Sequence, residues 1–160
     1  MITMKTKYAL KALTHLARAE EGQPVLIAEI AEREGIPRKF LELILRELRR
    51  SGLLESRKGR GGGYSLRYAP ANITVAAVIE ALDGSLAPVA CLSPTAYRRC
   101  DGCVDESTCG VRLVMADLYA ATIGVLEAIT VADIVERIEH ASERRLPISP
   151  PRLSSVNPSR

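Results

Sequence analysis

The sequence predicts a mostly α-helical fold with a small β hairpin: a winged helix-turn-helix domain followed by a long C-terminal dimerisation helix. Three observations carry this expectation. Two helical patterns meet at Gly35-Ile36-Pro37, a pair of short strand patterns flanks the glycine-rich basic tip Gly59-Arg60-Gly61-Gly62-Gly63, and apolar residues recur at helical spacing from about 108 to 129.

Ala9, Ala12, Leu13 and Leu16 recur at 3,4 spacing and predict a first helix from about 4 to 19, stopped by Glu20-Glu21-Gly22-Gln23-Pro24. A shorter second helix carries Ile27, Ile30 and Ala31 and ends at Gly35, a residue suited to the left-handed terminal position. Ala31 and Gly35 are also expected to stay small because two backbones approach there. Pro37 sits early in the third helix, where its missing N–H costs nothing, and the apolar stripe is Phe40 or Leu41, Ile44, Leu45 and Leu48 before Ser51-Gly52 closes the element. Strands are expected over 53–58 and 64–68. Four glycines in the five tip residues exceed what a turn needs, and beside Arg57, Lys58 and Arg60 they are read as permitting close backbone approach to phosphates. Thr74 caps a helix that ends at Asp83-Gly84.

The chain of 160 residues, 47% hydrophobic, suffices for one ordinary core. No signal-peptide h-region opens it and no apolar run is long enough for a membrane span, so a cytoplasmic protein without membrane attachment is expected. Residues 1–70 carry 14 Lys/Arg against 8 Asp/Glu, residues 71–160 carry 8 against 11. An N-terminal part that meets a polyanion, joined to a C-terminal part with another task, accounts for that asymmetry.

The candidate DNA contacts follow from position and charge. Arg38, Lys39 and Glu42, at the start of the third helix, are placed for base edges, Arg suiting guanine and Glu suiting cytosine. Arg46, Arg49 and Arg50 are placed for phosphates, and Arg57, Lys58, Arg60, Gly61 and Gly62 form the wing, with Arg60 against or in the minor groove. Nothing in the sequence has the pattern of a catalytic triad or a nucleotide cradle, so no enzyme is expected.

All four cysteines fall in the spacing Cys91-x8-Cys100-x2-Cys103-x5-Cys109, within an irregular loop from about 85 to 108. Clustered thiols in a reducing compartment favour metal or redox chemistry, iron-sulfur or zinc, over structural disulfides. Unliganded thiols and a thiol-disulfide pair remain alternatives at this point. In the long helix that follows, Val111, Val114, Met115, Leu118, Ala121, Thr122, Val125, Leu126 and Ile129 keep 3,4 spacing, while Leu113, Ala120 and Ile123 make another side apolar. One side is expected to pack on its own domain and another to form a homodimer seam. Thr130 caps a last helix to about Arg144.

MITMKTKYALKAL, IAEIAEREGIPRKFLELILRELRRSGLLESRKGRGGGY, the cysteine loop and ITVADI together resemble the Rrf2 family of regulators, of the IscR, NsrR and RirA type. The resemblance covers residues 1 to about 140. It implies a homodimeric winged-helix regulator that binds a double-stranded DNA operator and, in cysteine-bearing members, senses iron, redox state or nitric oxide through an iron-sulfur cluster, 2Fe-2S in preference to 4Fe-4S. It implies three ligand cysteines, matched here by Cys91, Cys103 and Cys109. The fourth ligand departs from the pattern: Arg112 stands where IscR-like members have His, and Tyr8 stands near the acidic position of NsrR-like members. Cys100 is the nearest replacement, with His15 a second candidate. The expected organisation is a DNA-binding domain over 1–84, a sensor loop over 85–108, dimerisation helices over 109–144 and a disordered tail over 145–160. A zinc or thiol-disulfide regulator of the same fold, and a redox or electron-transfer protein using the helix-turn-helix to bind protein, are the rival readings.

Overall fold

The computed structural model describes residues 3–20 and 22–144; the tail assigned to 145–160 lies outside the described residues. Helix α1 (Met4–Ala17) starts at Thr3, whose hydroxyl accepts the Thr6 N–H at 3.3 Å, and it ends two residues before the predicted limit. Its Ala9, Ala12, Leu13 and Leu16 are buried, as the spacing predicts. Helix α2 (Ile27–Glu34) stops at Gly35 with φ +64, and the Ile36 N–H closes back on the Ala31 carbonyl at 2.9 Å. A Cβ on Gly35 would meet nothing within 4 Å. The expected close backbone approach is therefore not the reason for glycine here; the left-handed turn conformation is.

Helix α3 (Arg38–Arg50) follows Pro37 directly and buries Leu41, Ile44, Leu45 and Leu48. Phe40 is half-buried and meets Tyr8 of α1 edge-on, with ring centroids 5.9 Å apart, so both Phe40 and Leu41 face inward. The hairpin pairs β1 (Leu54–Arg57) with β2 (Gly63–Leu66) in antiparallel register, Leu54 opposite Leu66 and Arg57 opposite Gly63. Both strands are shorter than the apolar pattern indicates. Val25, just before α2, exchanges two backbone hydrogen bonds with Tyr64 at 2.8 and 2.9 Å, which fastens the hairpin to the helix-turn-helix.

After a short 3-10 turn at Pro70–Asn72, Thr74 caps α4 (Val75–Asp83) by accepting the Ala77 N–H at 3.1 Å. A second 3-10 turn, Ala90–Leu92, lies in the cysteine loop, which leads to α5 (Gly110–Ala128). Helix α6 (Val131–Arg144) opens with a reciprocal cap in which Thr130 N–H and hydroxyl donate to Asp133 at 2.7 and 2.6 Å, and the Asp133 N–H returns to the Thr130 hydroxyl. It folds back on α1, while α5 packs on α4. One core joins Leu13, Ile30, Ile44, Leu45, Leu48, Leu54, Ile73, Val78 and Val131. At about 1.5–3 kcal/mol for each fully buried large side chain, this core holds α1–α4 and the hairpin as one body.

Candidate nucleic-acid interface and cysteine loop

Burying Leu41, Ile44, Leu45 and Leu48 fixes the rotation of α3 and turns Lys39, Leu43, Arg46, Arg49 and Arg50 outward as exposed residues, with Arg38 at the helix start also exposed. Arg38 and Glu42 pair across one helical turn, Nε to Oε1 at 3.3 Å, which orients both before any ligand arrives. Arg49 donates from its guanidinium to Ser56 Oγ at 3.0 Å and so ties α3 to β1. Between the starts of α2 and α3 and the hairpin lies a cleft of about 600 Å³, lined in part by Arg38, Arg49, Arg57, Lys58 and Gly59. All the cationic side chains assigned to DNA from the sequence are exposed on this one side of α3 or on the hairpin. Leu43, 50% exposed between Lys39 and Arg46, was missed by sequence reasoning. Its signal was there: it falls outside the 3,4 spacing of the core stripe.

The wing glycines have reasons inside the chain. Gly59 and Gly61 take φ +94 and +81, in the left-handed region. Gly62 is buried, its N–H donates to the Gly59 carbonyl at 2.9 Å, and a Cβ there would collide with the Arg57 carbonyl oxygen. A Cβ on Gly63 would collide with the Val25 carbonyl oxygen across the bridge to Tyr64. This corrects the expectation that the glycines exceed the needs of a turn. Gly62, assigned to DNA from the sequence, shapes the tip and has no free amide to offer, whereas Arg57, Lys58, Arg60 and Gly61 are exposed.

The cysteine loop turns back on itself. The Arg98 N–H donates to the Ala90 carbonyl at 3.2 Å, which carries the Cys100 end of the loop toward Cys91, and the Cys103 N–H donates to the Cys100 carbonyl at 3.2 Å. Arg99 clamps the next turn through the Cys103 and Val104 carbonyls at 2.9 and 3.1 Å. Cys109 is the N-cap of α5, Cys91 is buried, and Cys100 is exposed; all four thiols are free. The Cys91 sulfur chiefly, with smaller contributions from Cys103 and Cys109, raises the Cys100 thiol above the ordinary cysteine range. The four sulfurs thus share one electrostatic neighbourhood. Among the described residues, however, no three His, Cys, Asp or Glu side chains are already arranged around a point where a metal ion would sit.

Glu106 lies near the end of this loop, three residues before Cys109. It accepts from the Tyr97 hydroxyl at 2.5 Å, raising that phenol's pKa, and has Arg99 Nε at 3.9 Å and Arg112 Nε at 4.0 Å. The Arg112 distance is too long for a hydrogen bond. Arg112 Nε is buried and has no hydrogen-bond partner among the described residues. The two other fourth-ligand positions are occupied differently: His15 Nδ1 lies 3.1 Å from Glu34 Oε1, and Tyr8 packs on Phe40. Neither is drawn into the loop.

Helix α5 has no fully buried residue. Met115, Tyr119, Thr122, Ile123, Leu126 and Ile129 are half-buried, whereas Val111 and Leu118, at 64% and 53%, are exposed together with Val114, Ala121 and Val125. The first of the two apolar sides read from the sequence, Val111 to Ile129, therefore divides into two adjoining stripes, one turned to the body and one turned to solvent. No helix among the described residues is long and apolar enough to cross a membrane.

Residues 2–137 match the family model named Rrf2, described as an iron-dependent transcriptional regulator. An rrf2-like HTH-type transcriptional regulator of Rhodobacter capsulatus is 44% identical over 84% of this chain and 92% of that protein. The HTH-type transcriptional regulator IscR of Serratia proteamaculans is 35% identical over 84% of this chain and 78% of that protein. Among solved structures, CymR, described as the global cysteine regulator of B. subtilis, superposes with a TM-score of 0.70 at 26% identity over 86% of this chain and 97% of that one. IscR of T. potens gives 0.66 at 29% identity, over 93% of both chains.

Proposed function

The chain belongs to the Rrf2 family of DNA-binding winged helix-turn-helix transcriptional regulators, a non-enzymatic class, and from that premise we propose that it is a cytoplasmic homodimer whose operator binding is set by the state of its cysteine loop. One observation carries this reading: the four thiols occupy the segment between the DNA-binding body and α5, which leaves an apolar stripe uncovered, and Cys109 is that helix's N-cap. A change at the sulfurs therefore bears directly on the start of α5.

In this reading residues 1–84 bind DNA, 85–108 sense and 109–144 carry the dimer contact. Arg38, Lys39 and Glu42 read base edges, Arg46, Arg49, Arg50, Arg57, Lys58 and Arg60 neutralise phosphates or enter the groove, and Gly61 lets the wing approach closely. The exposed stripe Val111, Val114, Leu118 and Val125 meets its copy in the partner subunit, which implies a near-palindromic operator.

The donor set fits an iron-sulfur cluster in chemistry: four soft ligands in one loop, where the Cys91 sulfur chiefly raises the Cys100 thiol, beside an Arg112 Nε with no hydrogen-bond partner among the described residues. Cys91, Cys103 and Cys109 would hold it, with Cys100 as fourth ligand. Bound there, a cluster, 2Fe-2S by family resemblance, supplies a charge that responds to redox state, iron or nitric oxide. Since the thiols are not prearranged, holding the cluster would require Cys91, Cys100, Cys103 and Cys109 to be drawn together. The test is anaerobic reconstitution with iron and sulfide. Visible absorption with bound iron and sulfide is expected in the parent, abolished in Cys91→Ala, Cys103→Ala or Cys109→Ala, and weakened in Cys100→Ala; an unchanged Cys100→Ala spectrum removes Cys100 from the ligand set. The juxtaposition of Cys91 and Cys100, together with the likeness to CymR, favours one second reading, a thiol-disulfide regulator of the same fold, which predicts no iron uptake and oxidant-dependent DNA release.

A further inference from the structure

Helix α3 turns one face directly away from the core. At helical spacing Lys39, Leu43, Arg46 and Arg50 fall within an arc of about 60° opposite the buried Leu41, Ile44, Leu45 and Leu48. Three of these outward residues are cations. The fourth, Leu43, is 50% exposed and is the one exposed apolar residue of α3. A single exposed leucine is ordinary on a protein surface. Leu43 differs in its position: it stands one turn beyond Lys39 and one turn before Arg46, in the middle of the face whose charge suits a polyanion, so a duplex held by those cations covers it.

The polar vocabulary of the helix is also narrow. Its 13 residues include Arg, Lys and Glu but no Asn, Gln, Ser or Thr. Arg and Lys suit guanine and Glu suits cytosine, whereas the amide side chains that read adenine by paired hydrogen bonds are absent from α3. An A·T pair carries one further mark in the major groove, the C5 methyl of thymine, which an apolar side chain senses by contact. We propose that Leu43 is a specificity residue that reads this methyl and gives α3 its means of recognising an A·T pair. The inference rests on the reading of α3 as the base-contacting helix. Bringing the methyl against the exposed half of Leu43 removes apolar surface from water on both partners, which is favourable without any hydrogen bond. Cytosine in the same place lacks the methyl and turns its N4 donor toward a side chain that cannot accept, so it is disfavoured twice. Arg38 and Glu42, paired at 3.3 Å, supply the hydrogen-bonding readers beside Leu43, and the two kinds of contact are separable by experiment.

Binding sites for the full-length protein are selected from random duplexes, and each consensus thymine is then replaced by deoxyuridine, which lacks only the C5 methyl. Affinities of the parent, Leu43→Ala, Leu43→Met, Arg38→Ala and Glu42→Ala are measured by fluorescence anisotropy across a salt titration, and the selection is repeated with each variant to give its base preference. For the parent, deoxyuridine at one thymine of each half-site is expected to weaken binding by about 4-fold per half-site, the worth of one buried methyl. Leu43→Ala should bind the thymine and deoxyuridine duplexes alike, and Leu43→Met, which keeps an apolar chain of similar volume, should retain the thymine preference. The salt slope and thermal midpoint of Leu43→Ala should stay those of the parent, because neither a charge nor a buried group is removed. A parent indifferent to every such replacement, or a Leu43→Ala protein that keeps the parent's thymine preference, overturns the inference. Altered base preference in Arg38→Ala or Glu42→Ala would then leave α3 as the base-contacting helix, whereas unchanged preference in all the variants overturns that reading and the inference with it.

Discussion

Helices α3 and α5 are both amphipathic, yet they relate to the molecule in opposite ways. Helix α3 buries Leu41, Ile44, Leu45 and Leu48 completely and shows solvent mainly charge; α5, the longer of the two, buries no residue completely and shows solvent Val111, Val114, Leu118 and Val125. A charged face is stable in water and also ready for a polyanion, so α3 is finished within one chain. An apolar stripe gains only when covered, so α5 is finished only by something outside the described residues.

The sharpest way to break this contrast is Leu118→Glu. It should convert a sedimenting dimer to monomer and lower operator affinity by orders of magnitude while leaving the thermal midpoint of the body close to the parent's; a parent that sediments as monomer at micromolar concentration would end the proposal. Leu126→Glu, on the half-buried side, should instead destabilise the docking of α5 on α4. Next in size is Leu45→Ala in α3, with an expected cost of about 2–5 kcal/mol in denaturant unfolding and no change in iron content. If that cavity also dissociated the dimer, the two helices would not be energetically separate.

A smaller effect is expected from Arg60→Ala at the exposed wing tip. It should weaken specific and nonspecific DNA binding together and reduce the salt slope by about one contact. Equal affinity across a salt titration would remove Arg60 from the interface. The smallest concerns Asp83, where α4 meets α1: burial pushes its carboxyl up, but hydrogen bonds from Thr6 at 2.6 Å and Thr3 at 2.9 Å outweigh it, and the pKa lies below the ordinary value of 3.8. The folded state thus favours the ionised form. Its contribution is complete above that ordinary value and is lost as pH falls through the lower folded one. Asp83→Asn should therefore show a shallower fall of thermal midpoint below about pH 4 than the parent, and parallel curves would refute the linkage.

The order of helices, the Gly35 turn, the caps at Thr74 and Thr130, the hairpin and the exposed cationic set were legible in the sequence, because periodicity, turn residues and capping act between neighbours in the chain. Grouping the four cysteines was legible for the same reason. Other features depended on distant partners. Two wing glycines answer to backbone collisions, Gly63 with Val25 far upstream, and the Thr3, Thr6 and Asp83 link joins residues some eighty positions apart.

What the sequence by itself determined is the order and approximate place of each helix and strand, and where charge and thiols concentrate along the chain. Only the tertiary structure decided how α5 is rotated. Its apolar residues cover too wide an arc for periodicity to choose a buried side, and contact with α4 makes Met115, Tyr119 and Leu126 the inner ones. The same packing left Arg112 Nε without a hydrogen-bond partner among the described residues, for whether a polar group is satisfied depends on atoms that folding brings to it and not on its neighbours in sequence.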